Sequence, residues 1–128
     1  AIASKRAAEL FNLNILAENI EDDPKNTTRV VVLSAHDVAP SGEDKTSFVT
    51  ATKNQPGAIL GLLEPLARHN VSMTKLESRP AKGGMWEYVF YVDIEGHVQD
   101  ANVGSAINEI TSRASYLKLL GSYPLAVI

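Results

Sequence analysis

Two short stretches of this 128-residue sequence group residue types able to hold a charged small molecule. Gly57-Ala58-Ile59-Leu60-Gly61 sets small residues at the expected mouth of a helix. A helix start offers unbonded N–H groups and the positive end of the dipole, which suits a carboxylate or a phosphate. Close packing of a helix on a sheet accounts for the same residues equally well. Glu77-Ser78-Arg79-Pro80 bundles an acid, a hydroxyl and a guanidinium beside a chain-stiffening proline. Such a wall can take both an ammonium and a carboxylate, hence an amino acid; the plainer account is a strand end with a local salt bridge. Asp22 and Asp23 offer paired carboxylates, but adjacent acids before Pro24 more often serve a turn and its solvation.

Other chemistries find little support. His36, His69 and His97 fall in three separate segments without a carboxylate at ligand spacing, so they read as solvated surface histidines rather than a metal site. Zero cysteines exclude a disulfide scaffold, a thiolate metal site and a cysteine nucleophile, and fit a reducing cytoplasm. No phosphate-cradling GxxxxGK[ST] or GxGxxG occurs. Trp86, Tyr88 and Phe90 form an aromatic row of the kind that stacks RNA bases, yet acids alternate with them and the basic motif is missing. Twelve Lys+Arg against fifteen Asp+Glu give −3, which also argues against nucleic acid. No apolar run is long enough to span a membrane, and no hydrophobic leader opens the chain. The sequence starts without Met in a stretch that already looks helical, so it is expected to be a piece of a longer chain.

The elements that must position these residues follow from periodicity. Ala3, Ala7, Leu10 and Phe11 share a helical face, Ile15 to Ile20 is a short extended run, and Arg29 to Leu33 carries a β-branched strand signature. Residues 34–44 are polar, broken by Pro40 and Gly42, and read as a linker. Beyond it, Ser47 to Thr52 is an expected strand. Asn54 or Gln55 then caps a helix with Pro56 in its first turn and the buried stripe Ile59, Leu62, Leu63, Leu66. Pro65 removes the hydrogen bond to the Gly61 carbonyl, which predicts a kink or an early end, and Asn70 is the expected stop. Val71 to Ser78 is a strand, Pro80 to Gly84 a turn. Met85 to Glu95 is a strand whose Trp86, Tyr88, Phe90, Val92 and Ile94 face a core and whose Glu87 and Asp93 face the wetter side. Val103, Ala106, Ile107, Ile110 and Ala114 mark a second helix, and Tyr116 to Ser122 a last strand. The order is βαββαβ: an α+β, ferredoxin-like arrangement of one antiparallel sheet with two helices on one face.

At these residues a family resemblance appears. Asn54-Gln55-Pro56-Gly57-Ala58-Ile59-Leu60 followed by Met73-Thr74-Lys75-Leu76-Glu77-Ser78-Arg79-Pro80 closely resembles the ACT regulatory domain of prephenate dehydratases. Related ACT domains occur in aromatic amino acid hydroxylases. Leu16 to Arg29 resembles the end of the catalytic domain of the same enzymes, and Thr28-Arg29-Val30 stands where that family has Thr-Arg-Phe. The resemblance implies an ACT domain over 45–128, a linker over 34–44 and, over 1–33, the remnant of an α/β catalytic domain. It implies that Thr28 is the catalytic hydroxyl, with Arg29 supporting the site. The parent enzyme would turn prephenate into phenylpyruvate, losing water and carbon dioxide on the route to L-phenylalanine, with no metal or organic cofactor. In many members a chorismate mutase domain lies upstream. The ACT domain would bind L-phenylalanine as feedback inhibitor between two subunits of a homodimer. Asn54, Gly57, Ala58, Ile59 and Leu60 would meet the effector on one side, with Glu77, Ser78 and Arg79 on the other. An ACT domain that only dimerises, without ligand response, fits the same motifs. About thirty residues of a catalytic domain cannot build a cleft, so the chain alone is expected to be inactive.

Overall fold

The computed structural model describes residues 1–24, 30–81 and 88–126. The chain forms two compact units, Ala1–Leu33 and Ser34–Ile128. In the first, helix α1 spans Lys5–Leu10, and the Ser4 hydroxyl accepts the Ala7 N–H at 3.2 Å to cap it. Of the expected apolar face, Ala3, Leu10 and Phe11 are exposed and Ala7 is half-buried, and no α1 residue is buried. Two expected extended pieces are corrected. Ile15–Ile20 forms no strand, and Val30–Leu33 forms none either; Val32 and Leu33 are 90% and 91% exposed. β-branching sets a preference, but a strand exists only by pairing, and among the described residues of this unit the run has no partner.

The second unit holds β1 (Asp44–Ala51), α2 (Ala58–Arg68), β2 (Met73–Pro80), β3 (Tyr88–Glu95), α3 (Ala101–Arg113) and β4 (Tyr116–Pro124). The sheet order is β2-β3-β1-β4 and every pairing is antiparallel. This is the expected ferredoxin-like βαββαβ arrangement. Phe48 stands opposite Val92 on one sheet face, together with Phe90 and Ile94, and packs with Leu62 and Leu66 of α2 and Val103, Ala106, Ile107 and Ile110 of α3. Both helices therefore cover the same face. The β3 alternation holds at Phe90, Val92 and Ile94, while Tyr88 is half exposed near the strand's start. Trp86 and Glu87 lie outside the described residues.

Several local expectations change. Pro56 precedes the cap of α2 instead of sitting in its first turn; Gly57, at φ +76°, is the cap. Pro80 ends β2 rather than opening a turn. The helix passes through Pro65 and continues to Arg68, without the expected early end. Its stop is as expected: Asn70 sits at φ +53°, with Val71 N–H bonded to Leu66 O at 2.8 Å and Asn70 N–H to Ala67 O at 3.2 Å, a Schellman closure whose apolar ends both join the core. On the uncovered sheet face, Asp93 is buried rather than wet, because the Ser47 hydroxyl donates to it at 2.6 Å and the Tyr123 hydroxyl lies 2.7 Å from Ser47 Oγ.

The residues before β1 are held rather than free. Asp44 accepts the Ser41 N–H at 2.8 Å, the Ser41 hydroxyl at 2.7 Å and the Gly42 N–H at 3.0 Å. His97, expected at the surface, is 2% exposed. Its Nδ1 accepts the Gln99 N–H at 3.1 Å, which places its proton on Nε2, and Nε2 donates to Val38 O at 3.0 Å.

Candidate functional site

The mouth of α2 is built by a left-handed glycine. At φ +76° Gly57 turns the chain into the helix, and apart from its own chain neighbours no atom lies within 4 Å of where a Cβ would stand. Ala58 N–H meets Gln55 O at 3.2 Å and Gly61 N–H meets Gly57 O at 3.0 Å. Between them, the N–H groups of Ile59 and Leu60 meet no acceptor among the described residues, and no side chain caps them. The apolar side chains at the same place are uncovered: Ile59 is 43% and Leu60 72% exposed. Two adjoining clefts open here. One, of about 190 Å³, is lined by Thr52, Gln55, Gly57, Ala58, Gly61 and Arg113 among others. The second, of about 100 Å³, runs from Asn54, Ala58 and Ile59 to Tyr88 and Phe90. Free donors next to exposed apolar surface suit a ligand with a carboxylate and an apolar side chain.

The register shows which sequence motifs reach this place. Thr50 pairs with Phe90 and Phe90 with Ser78; Ala51 pairs with Val89 and Val89 with Arg79. The end of β2 is thus level with the end of β1 that leads to α2. Alternation then divides the Glu77-Ser78-Arg79 group. Ser78 shares the helix-covered face with Phe90. Glu77 and Arg79 share the uncovered face with Tyr91, and the Arg79 guanidinium lies 5.8 Å from that ring's centre. Arg79 Nε donates to Glu77 Oε1 at 2.7 Å, and Lys75 Nζ lies 3.0 Å from Glu77 Oε2. Lys75 and Arg79 together hold the Glu77 carboxyl below its ordinary value, and Glu77 raises the Arg79 guanidinium. Within one chain, then, Ser78 alone of the three shares the sheet face of the helix mouth.

Thr28 and Arg29, the expected catalytic pair, lie outside the described residues. Thr52 and Arg113 line the mouth without having been singled out from the sequence, and Gln55, expected only as a possible cap, lines it too. For Arg113 a signal existed. Pro65 leaves the Gly61 carbonyl without its helical donor, and Arg113 Nη1 supplies one at 3.0 Å. The same guanidinium donates to Glu64 Oε2 at 2.8 Å and, through Nη2, to Glu109 Oε1 at 2.6 Å. Arg113 holds the Glu64 carboxyl low, helped by Arg68. Burial pushes Glu109 up, but His69, Arg68 and Arg113 together bring it below the usual range. Among the described residues no cluster of three or more His, Asp or Glu is placed to hold a metal ion, and no helix is long and apolar enough to cross a membrane.

Comparison with known proteins bears on both units. The ACT domain family matches residues 47–111, and the prephenate dehydratase family matches residues 1–38. The chain is 49% identical over its full length to the bifunctional chorismate mutase/prephenate dehydratase of Neisseria gonorrhoeae and 45% identical to that of Aquifex aeolicus. It spans 35% of the length of each of these relatives. Among solved structures it resembles the prephenate dehydratase of Arthrobacter aurescens in complex with L-Phe, at 31% identity and a TM-score of 0.76, over 94% of this chain and 40% of that one. With half of its residues matched by one family and its leading residues by the other, the chain belongs to the ACT domain family, joined to a segment of prephenate dehydratase type.

Proposed function

We propose that residues 45–128 are the L-phenylalanine-sensing regulatory domain of a cytoplasmic prephenate dehydratase. That enzyme would convert prephenate to phenylpyruvate with loss of water and carbon dioxide, with the Thr28 hydroxyl hydrogen-bonding the departing hydroxyl of prephenate and Arg29 supporting the site. The observation that carries the effector reading is the pair of unmatched N–H groups at Ile59 and Leu60 beside exposed apolar side chains. The amino acid carboxylate sits on the Ile59 and Leu60 N–H groups, and the ring covers Ile59 and Leu60. The L-Phe complex of the Arthrobacter aurescens relative supports this choice of ligand. Ser78 shares the ligand's face, Asn54 borders it, and Glu77 with Arg79 braces edge strand β2 from the other side of the sheet. Edge strand β2 is open on one side and supports pairing of two ACT domains around the ligand.

Calorimetric titration of the chain with L-phenylalanine, against L-tyrosine and with sedimentation in parallel, tests the reading. Saturable binding at about one ligand per chain in a dimer is the expected result. Gly57→Val abolishes it, because a β-branched residue is strained at φ +76° and its methyls occupy the approach to the N–H groups. A dimer that takes up no phenylalanine leaves an ACT domain that serves assembly alone.

A further inference from the structure

The proline inside α2 has a structural counterpart on another helix. Pro65 is fully buried in the middle of α2, where a proline ordinarily kinks or ends a helix. Its missing N–H orphans the Gly61 carbonyl, one turn from the mouth. That carbonyl accepts from Arg113 Nη1, 52 positions away at the end of α3. The guanidinium is itself fixed by Glu64 of α2 and Glu109 of α3. Gly61 and Arg113 both line the same cleft as Gly57 and Ala58.

We propose that Arg113 is a positioning residue that replaces, from α3, the hydrogen bond Pro65 denies to Gly61, and so fixes the first turn of α2 in the shape that receives the effector. Its link to phenylalanine rests on the function proposed above; its link to Pro65 does not. A planar fork with several donors suits three acceptors on two helices, and a lysine ammonium cannot reproduce that geometry. The arrangement also ties the mouth to α3. Any ligand-driven shift of the first turn of α2 must therefore move Arg113 or break its bond to Gly61.

A double-mutant cycle isolates the effect. Arg113→Met in the natural Pro65 background is expected to lower the melting temperature by about 4–8 °C. Pro65→Ala gives residue 65 an N–H and returns Gly61 its helical partner, so Arg113→Met in that background costs less than half as much. The lost ion pairs to Glu64 and Glu109 are common to both backgrounds and cancel. Phenylalanine affinity follows the same pattern: roughly fivefold weaker in Arg113→Met, as for one lost hydrogen bond, and recovered in the double variant. Should Arg113→Met fail to fold, Arg113→Lys keeps the charge and is expected to show the same coupling to Pro65 at smaller size. Equal costs in the two backgrounds, with either substitution, overturn the proposal. If the natural chain binds no phenylalanine, the effector reading falls while the melting-temperature cycle still decides the role of Arg113.

Discussion

Asp44 shows how a single side chain organises the entry to the ACT fold. It collects two backbone N–H groups and one hydroxyl while itself only 4% exposed. The Ser41 hydroxyl holds its carboxyl below the ordinary value; burial opposes this, and the Ser41 and Gly42 N–H groups and nearby His97 reinforce it. A carboxyl depressed in the folded state stabilises the fold above its unfolded value, and that contribution is lost as pH falls through the folded value. Acidification below about pH 4 is therefore expected to loosen the 41–44 turn. Thermal melts between pH 5 and pH 3 check this: Asp44→Asn melts lower than the natural chain at pH 5 and loses less on acidification. Glu64, Glu77 and Glu109 are held low as well, so a residual acid slope persists in the variant. Neither Asp44 nor His97 was legible as a structural centre from sequence. Their partners are set by turns and by a contact 59 positions away, which no local period records.

Among the elements, those with a strong period were readable and those defined by partners were not. The α3 stripe and the alternation of Phe90, Val92 and Ile94 each reflect burial on one face, so pattern and structure agree. Of the expected α2 stripe, Leu62 and Leu66 are buried and Leu63 partly so, while Ile59 is exposed because it stands at the helix mouth beyond the cover of the sheet. Val30–Leu33 carries strand composition without a ladder, and Asp93 is buried through Ser47 and Tyr123 on neighbouring strands. At the site the mouth of α2 was legible in Gly57, but the separation of Glu77 and Arg79 from Ser78 needed the register as well as the motif. The β3–α3 connection offers a test of packing at this scale. Gly96 sits at φ +92°, and a Cβ there would stand 2.8 Å from Val103 Cγ2 and 3.1 Å from Asp100 Oδ2. Gly96→Ala is expected to cost roughly 2–4 kcal/mol from backbone strain and overpacking. Urea unfolding checks it through a lower midpoint at unchanged slope.

At the level of the whole molecule, the proposed site links ligand to assembly. A site shared between two ACT domains makes the melting temperature rise with phenylalanine concentration and with protein concentration alike. At a hundredfold excess over Kd the gain is about 2.7 kcal/mol. Differential scanning calorimetry across both concentrations checks this; dependence on phenylalanine without dependence on protein would place the site within one chain.

The position of β1 in the sheet has a mechanical consequence. It begins at Asp44, where the preceding segment is gathered, and ends at Ala51, six residues before Gly57. Its eight residues measure about 26 Å at about 3.3 Å each, and β3 and β4 clamp it along both edges. Such a strand behaves as a guided rod: it resists bending, and a push at one end is delivered at the other. The mouth of α2 and the chain entering the domain therefore lie at opposite ends of one stiff member. The Ser41–Asp44 bonds make the entering chain travel with that member instead of trailing behind it.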